Sequence, residues 1–342
     1  MTPSILDFFH AFHGPWRKGR RVTAVIFGYA DGSGSHLGSK SGPAKVRCIG
    51  ALLGDQDAWI DLCERWNNVL DKPEWPSRIQ KFHMVDCVNH VGEFENWSYA
   101  ERLALFGDLV GVIIASPEIH AIGSSNIIDH FKALPSADLA LLKAEHLGTP
   151  AEIVCQYSFQ RIITITRERF SESEQVALTF DNEPAPDGEE YHKIYNEYAT
   201  RYPLSDTLAC RSLNFASARD FPPLQAADVL AYTTYQWEME TYYPKDAEPY
   251  FPVIPAFLRM VKAIEPDGGR YNLEGLQSLI ASIKAGKRMP LNPYIQEKGV
   301  LCSKPDCGKP FVVTYDTRTP SPETIMKLPC PHCKQLNDVI WP

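Results

Sequence analysis

The sequence predicts an α/β fold with a small cysteine-closed tail, and three observations lead to that expectation. Runs of β-branched and aromatic residues alternate with stretches whose apolar residues recur at the period of a helix. The first run, Arg21 to Ala30, stops abruptly at Asp31-Gly32-Ser33-Gly34. Four cysteines, in two tight pairs, close the C-terminal 41 positions from Cys302 onward.

Arg21 to Ala30 reads as a central strand running into a glycine turn. A Gly/Ser-rich loop reaches Pro43, and Val46 to Leu53 makes a second strand, expected to pair antiparallel with the first. Trp59, Leu62, Cys63, Trp66 and Leu70 recur at helix spacing over Asp55 to Leu70, with Asp55 available as the cap and Pro73 and Pro76 beyond the end. Ser98 and Glu101 form a capping box that opens a helix to Ile114, and Glu118 to Ile122 is a candidate strand. Thr149-Pro150 starts a long helix carrying Ile153, Tyr157, Arg161, Ile162 and Ile165, expected to pack on the sheet.

Val176, Leu178 and Phe180 alternate along Gln175 to Phe180, a strand that delivers Asp181 at its end. The turn Glu183 to Gly188 leads into an amphipathic helix through Tyr198. Ala209 to Ala216 is a further strand, and Leu224 to about Glu238 a helix entered through Pro222-Pro223. Tyr242 to Pro255 lacks periodicity and reads as a structured loop, followed by helical pieces near Ile254 to Ile264 and Leu273 to Ala285. The expected organisation is an extension over 1–20, an α/β domain over 21–286, a linker over 287–299 containing Pro290 and Pro293, and a tail over 300–342.

With 342 residues, 44% of them hydrophobic and 22% charged, the chain can bury a large core, and neither wholesale disorder nor a fibrous architecture is indicated. No apolar run approaches the length of a membrane span; Gly107, Asp108 and Gly111 interrupt the best one. The apolar Ile5 to Phe12 precedes the basic cluster Arg17 to Arg21, the reverse of a secretory signal, so a cytoplasmic protein is expected. Cys48, Cys63, Cys87, Cys155 and Cys210 are scattered in apolar surroundings, which suits a reducing compartment better than a disulfide framework. A net charge of −8 argues against non-specific nucleic-acid binding by the whole surface, but leaves room for a local basic groove. The candidates are Arg17 to Arg21, Arg161 to Arg169, and Lys304, Lys309, Lys327 and Lys334; each also reads as an ordinary solvated face.

The tail reads as a zinc ribbon. Cys302 and Cys307 are separated by four residues, Cys330 and Cys333 by two, and the run Phe311 to Tyr315 between the pairs is a strand. Thiolates are soft donors that suit Zn²⁺, and two short turns, with Gly308 and Pro331 as knuckle residues, can offer four sulfurs to one tetrahedral ion. A redox dithiol at Cys330 and Cys333, or His332 in place of one sulfur, are the alternatives. So small a tail would depend on the metal for its stability, and a site with four protein ligands leaves no open position for substrate.

Three carboxylates fall where the elements would aim them at one place. Asp31 and Asp181 each end a strand, and Asp228 stands three residues after Gln225 on one helix face. An aspartate after a strand is also a common turn residue. Asp228 is harder to dismiss, because it sits in the apolar run Leu224 to Ala231, where a charge needs a partner or a metal. Clustered carboxylates of this kind can hold Mg²⁺ or Mn²⁺ ions that activate water on a phosphodiester. Dinucleotide, P-loop, zincin and nucleophile-elbow motifs are not found.

The strand ending Tyr29-Ala30-Asp31-Gly32-Ser33-Gly34, the segment Phe82-His83-Met84-Val85-Asp86 and the helix start Pro223-Leu224-Gln225-Ala226-Ala227-Asp228 resemble the motifs of the domain of unknown function 3800 family, over roughly residues 21 to 240. The resemblance implies an RNase H-like mixed sheet flanked by helices. It further implies that Asp31, Asp228 and Asp181 are metal ligands, with Asp86 a fourth. His83 would orient water or move a proton, though a purely structural histidine is the other reading. Gln225 would hydrogen-bond a ligand carboxylate or a substrate phosphate. Many relatives carry Glu after the first Asp, where this chain has Gly32. The function so implied is a metal-dependent nuclease or phosphodiesterase, in the setting of phage defence or mobile elements, whose ribbon engages nucleic acid or a protein partner. The alternative is a non-catalytic RNase H-like binding module.

Overall fold

β1 (Val25–Ser33) and β2 (Val46–Gly54) pair antiparallel across the Gly/Ser-rich stretch, and β2 pairs antiparallel with β3 (His120–Ile127). On its other side β1 pairs parallel with β4 (Gln175–Asp181), which pairs parallel with β5 (Cys210–Ala216). β6 (Asp267–Tyr271) adds parallel to β3, so the mixed sheet runs β5-β4-β1-β2-β3-β6. The computed structural model describes residues 25–33, 44–170, 175–181, 187–201, 210–217, 221–246, 259–260, 267–286, 295–301, 303–304, 307, 310–316, 325–329 and 333–340. The expected N-terminal extension and most of the Tyr242 to Ile264 region lie outside them.

Alternation along the strands sends side chains to two layers. Tyr29, Leu52, Ala121 and Ala177 face one core, shared with α1 (Gln56–Leu70), α3 (Tyr99–Ile114) and α8 (Pro222–Tyr242). Ile26, Ala30, Ala51, Leu53, Val176, Leu178 and Phe180 face the other, shared with α6 (Pro150–Arg169) and α7 (Asp187–Arg201). The caps follow the sequence: Asp55 accepts from the Ala58 amide, and both capping boxes, Ser98 with Glu101 and Thr149 with Glu152, are formed.

The α8 helix lies close on the sheet because the residues there are small. Ala226, Ala227 and Ala231 are buried on it. Beneath them Gly50 of β2 stands opposite Asp31 in one ladder and opposite Gly123 in the next. A Cβ on Gly50 would come within 2.4 Å of the Ala231 amide nitrogen. Only glycine permits that approach.

Several elements exceed or escape the periodicity. β3 runs past Ile122 to Ile127 because its buried polar residues find partners in both layers: Ser124 Oγ lies 2.8 Å from Ser158 Oγ, and Ser125 Oγ donates to Glu238 Oε1 at 2.8 Å. β6 contains Gly268-Gly269, which carry no strand pattern; pairing with β3 makes them a strand, and Gly269 leaves room for the Tyr157 ring. The helices α2 (Met84–Asn89), α4 (Ile128–Lys132) and α5 (Ser136–Ala144) are too short to announce themselves by period. α9 (Leu273–Lys284) forms where expected.

The chain divides into two units, Met1–Ile280 and Ala281–Pro342. In the second, β7 (Ile295–Leu301) pairs antiparallel with β8 (Pro310–Asp316), and β9 (Ile325–Pro329) with β10 (Leu336–Ile340). β7 begins at Ile295, inside the stretch expected to be linker, since the strand can start once the second proline is passed.

Candidate functional site

Asp31 and Asp181 share a face of the sheet for a simple reason. Asp31 lies two residues after Tyr29, and Asp181 four after Ala177, so both belong to the layer that holds α8. Asp228, on the second turn of α8, meets them there. Asp31 and Asp228 are hydrogen-bonded to each other, and the charge of Asp181 acts on Asp228. Two acids are nearly sealed from solvent, Asp31 at 6% exposure and Asp228 at 5%, whereas Asp181 is half-buried.

The third segment is the Phe82 to Asp86 motif. Phe82 is fully buried and packs edge-on to Trp66 and to Phe94, with ring centroids 6.1 Å away in each case. Met84 is buried as well. These two anchors bring the Met84 amide onto Asp228 Oδ2, to which it donates at 2.8 Å. His83 precedes α2 in extended backbone, and its charge when protonated acts on Asp228. His83 Nδ1 lies 3.5 Å from Asp86 Oδ2, an ion-pair distance too long for a sound hydrogen bond.

Burial pushes the Asp228 carboxyl above its ordinary range, and the negative charge of Asp181 pushes the same way. His83, the Met84 amide and the Asp31 hydrogen bond all pull against that shift. Asp31 Oδ1 also accepts from the Gly32 amide at 2.8 Å. Nearby Cys87 has its thiol pushed up to about 12, mainly by burial.

Gln225 is buried, and its Oε1 accepts from the Trp66 indole at 2.8 Å. The carbonyl end is thus tied to α1, and the amide nitrogen is the end chemically suited to donate to a carboxylate or phosphate. Trp66, Gly50 and the Met84 amide are the contributors that sequence reasoning missed. Trp66 reads only as an apolar position of α1, and Gly50 only as a small residue in a strand.

Five of the six expected site residues, Asp31, Asp181, Asp228, His83 and Asp86, are thus linked by contact or by charge, and Gln225 lies one turn before Asp228. Among the described residues no three His, Cys, Asp or Glu side chains already enclose a common ion position. In the tail, Cys307 and Cys333 are half-buried, each in a turn between paired strands. Cys302 and Cys330 lie outside the described residues. No protein-family model matches the sequence, and no curated protein matches it either.

Proposed function

We propose that this chain is a divalent-metal-dependent nuclease or related phosphodiesterase. It is read as a relative of the domain of unknown function 3800 family, with an RNase H-like domain and a zinc-ribbon tail. One observation carries the reading: Asp31, Asp181 and His83, from three other segments, all act on the buried Asp228, whose Oδ2 also accepts from the Met84 amide. The sheet supports it, since β1 stands between an antiparallel meander and a parallel pair.

The donor set fits Mg²⁺ or Mn²⁺. Carboxylate oxygens are the hard donors those ions prefer, and a cation would offset the burial and the Asp181 charge that disfavour the Asp228 carboxylate. Bound there, the metal would supply an activated water and charge stabilisation at phosphorus. Asp31 and Asp228 would hold the ion, with Asp181 completing the set. The Met84 amide fixes the Asp228 carboxylate, and Trp66 fixes Gln225. His83 carries a proton to or from the reacting oxygens, with Asp86 Oδ2 3.5 Å from its Nδ1.

The test is cleavage of single-stranded, double-stranded and RNA–DNA hybrid substrates with Mn²⁺, comparing wild type with Asp31→Ala. Activity on at least one substrate is expected, with a loss of about 10²–10³-fold in the variant. Full activity in Asp31→Ala would refute the site. The second reading, a binding module without turnover, is favoured by Gly32, which replaces an acid common in the family. It predicts substrate binding by wild type with no cleavage under any divalent ion.

The tail is read as a zinc ribbon because of the spacing of its four cysteines, and because Cys307 and Cys333 each stand in the connection of an antiparallel hairpin. Elemental analysis is expected to find about one zinc per chain, as four thiolates bind one tetrahedral ion, and less in Cys330→Ser. Folded wild-type protein that carries no zinc after preparation with zinc present excludes this. The tail would engage nucleic acid or a protein partner. The buried free thiols Cys48, Cys63 and Cys87 support a cytoplasmic location. Among the described residues no helix is long and apolar enough to cross a membrane. Family resemblance places the activity in phage defence or mobile-element biology.

A further inference from the structure

The α2 helix carries Asp86 and is preceded by His83, yet it has only six residues. Alone, a helix of that length does not persist in water. Buried Met84, Cys87 and Val88 hold one side of it, and its two ends are held by charged side chains. At the start, the Met84 amide donates to Asp228. At the finish, Arg102 Nη1 donates to the carbonyl oxygens of Cys87 at 2.6 Å and Val88 at 2.9 Å. Carboxylate at the N-terminus and guanidinium at the C-terminus both complement the helix dipole.

Arg102 is 8% exposed, one turn into α3, directly after the capping box of Ser98 and Glu101. That box fixes the start of α3 and hence the height at which the guanidinium emerges. Without Arg102 the Cys87 and Val88 carbonyls would lose these charge-assisted partners, at a cost of a buried polar group each. The remaining closure of α2 is costly in itself: His90, not a glycine, takes the left-handed conformation at φ 59° and donates to the Asp86 carbonyl. A six-residue segment so tied transmits displacement of one end to the other.

We propose that Arg102 is a positioning residue of the acidic site: by clamping the C-terminal carbonyls of α2 it holds the Met84 amide on Asp228 and sets the placement of His83 and Asp86. This rests on the functional reading above for its effect on turnover, but not for its effect on α2.

The experiment uses the full chain with Arg102→Met, which keeps the buried stem, and Arg102→Ala. Hydrogen exchange of the Met84 amide is measured without metal, and kcat and KM with Mn²⁺. The Met84 amide is expected to exchange at least about tenfold faster in Arg102→Met. Its kcat is expected to fall ~10–100-fold, as for groups that orient metal ligands, with KM changed less than about twofold because no substrate contact is lost. Millimolar guanidinium is expected to restore part of the kcat of Arg102→Ala, which simple destabilisation would not allow. Unchanged Met84 exchange together with unchanged kcat overturns the proposal, while Asp31→Ala still tests the metal site. If wild type cleaves nothing, the functional reading fails, and unchanged exchange alone then overturns the clamp.

Discussion

Replacing Asp228 with asparagine should abolish metal-dependent cleavage while raising the unfolding midpoint of the metal-free protein. Asparagine has nearly the same shape and can still accept from the Met84 amide through Oδ1, so the packing of α8 is preserved. It cannot supply the negative charge a divalent cation needs, so activity is expected to drop by at least about 10²–10³-fold. The stabilisation comes from the same charge. The folded protein holds the Asp228 proton to higher pH than the unfolded chain does, because burial and Asp181 disfavour the carboxylate.

Between the ordinary carboxylate pKa of about 3.9 and the raised folded value, the folded state binds more protons than the unfolded state. Stability therefore falls as pH rises through that window, and the loss is complete above the folded pKa. Below the unfolded pKa this group contributes no penalty. The gap in midpoint between Asp228→Asn and wild type should thus be near zero at low pH and grow toward neutral pH. Each kcal/mol relieved should appear as about 2–4 °C. Adding Mn²⁺ should narrow or reverse the gap, since only wild type gains binding energy. Thermal melts across pH, with Mn²⁺ or chelator, decide this; a variant that melts below wild type in chelator at neutral pH contradicts it.

A second large effect is expected at Gly50. In Gly50→Ala the new Cβ would stand 2.4 Å from the Ala231 amide nitrogen and 2.8 Å from its Cα, both backbone atoms of α8. Backbone cannot rotate aside as a side chain can, so the helix must lift from the sheet. Overpacking of this kind costs typically 1–3 kcal/mol and sometimes more; about 3 kcal/mol would lower the midpoint by about 6–12 °C. Ala231 lies one turn beyond Asp228, and Asp31 is the cross-strand neighbour of Gly50, so the lift separates the two acids directly. Cleavage should fall further than stability alone accounts for. Gly123→Ala is the control: it stands beside Gly50 in the next ladder, and its Cβ would meet only Thr234 Oγ1, at an ordinary 3.5 Å. Equal behaviour of the two variants would remove the argument.

What the sequence reveals depends on how local its causes are. Caps and apolar periods are local, and α1, α3, α6 and the strands β2 and β4 lie close to their expected limits. By contrast, β1 runs on through Asp31 and Gly32 to Ser33, where the sequence predicts a turn, because β2 pairs with it there, and α8 runs past Glu238 to Tyr242. β6 is hidden because Gly268 and Gly269 carry no side-chain pattern; only the neighbour β3 makes them a strand. The acids themselves were legible, since an aspartate inside the apolar run Leu224 to Ala231 conflicts with its surroundings. Their supports were not. Trp66 reads as one more apolar residue of α1, and nothing local reveals that its indole holds Gln225 from 159 positions away. Arg102 likewise reads as a charge on a helix surface until α2 is placed against it.

The order of strands also sets when during synthesis the acids can meet. β1, which holds Asp31, finds its parallel neighbour β4 only after some 140 further residues have been made, and α8 follows later still. At ribosomal rates of about 5–20 residues per second, roughly 10–40 s separate the emergence of Asp31 from that of Asp228. The group of acids is therefore incomplete in a nascent chain until α8 has been made and has docked.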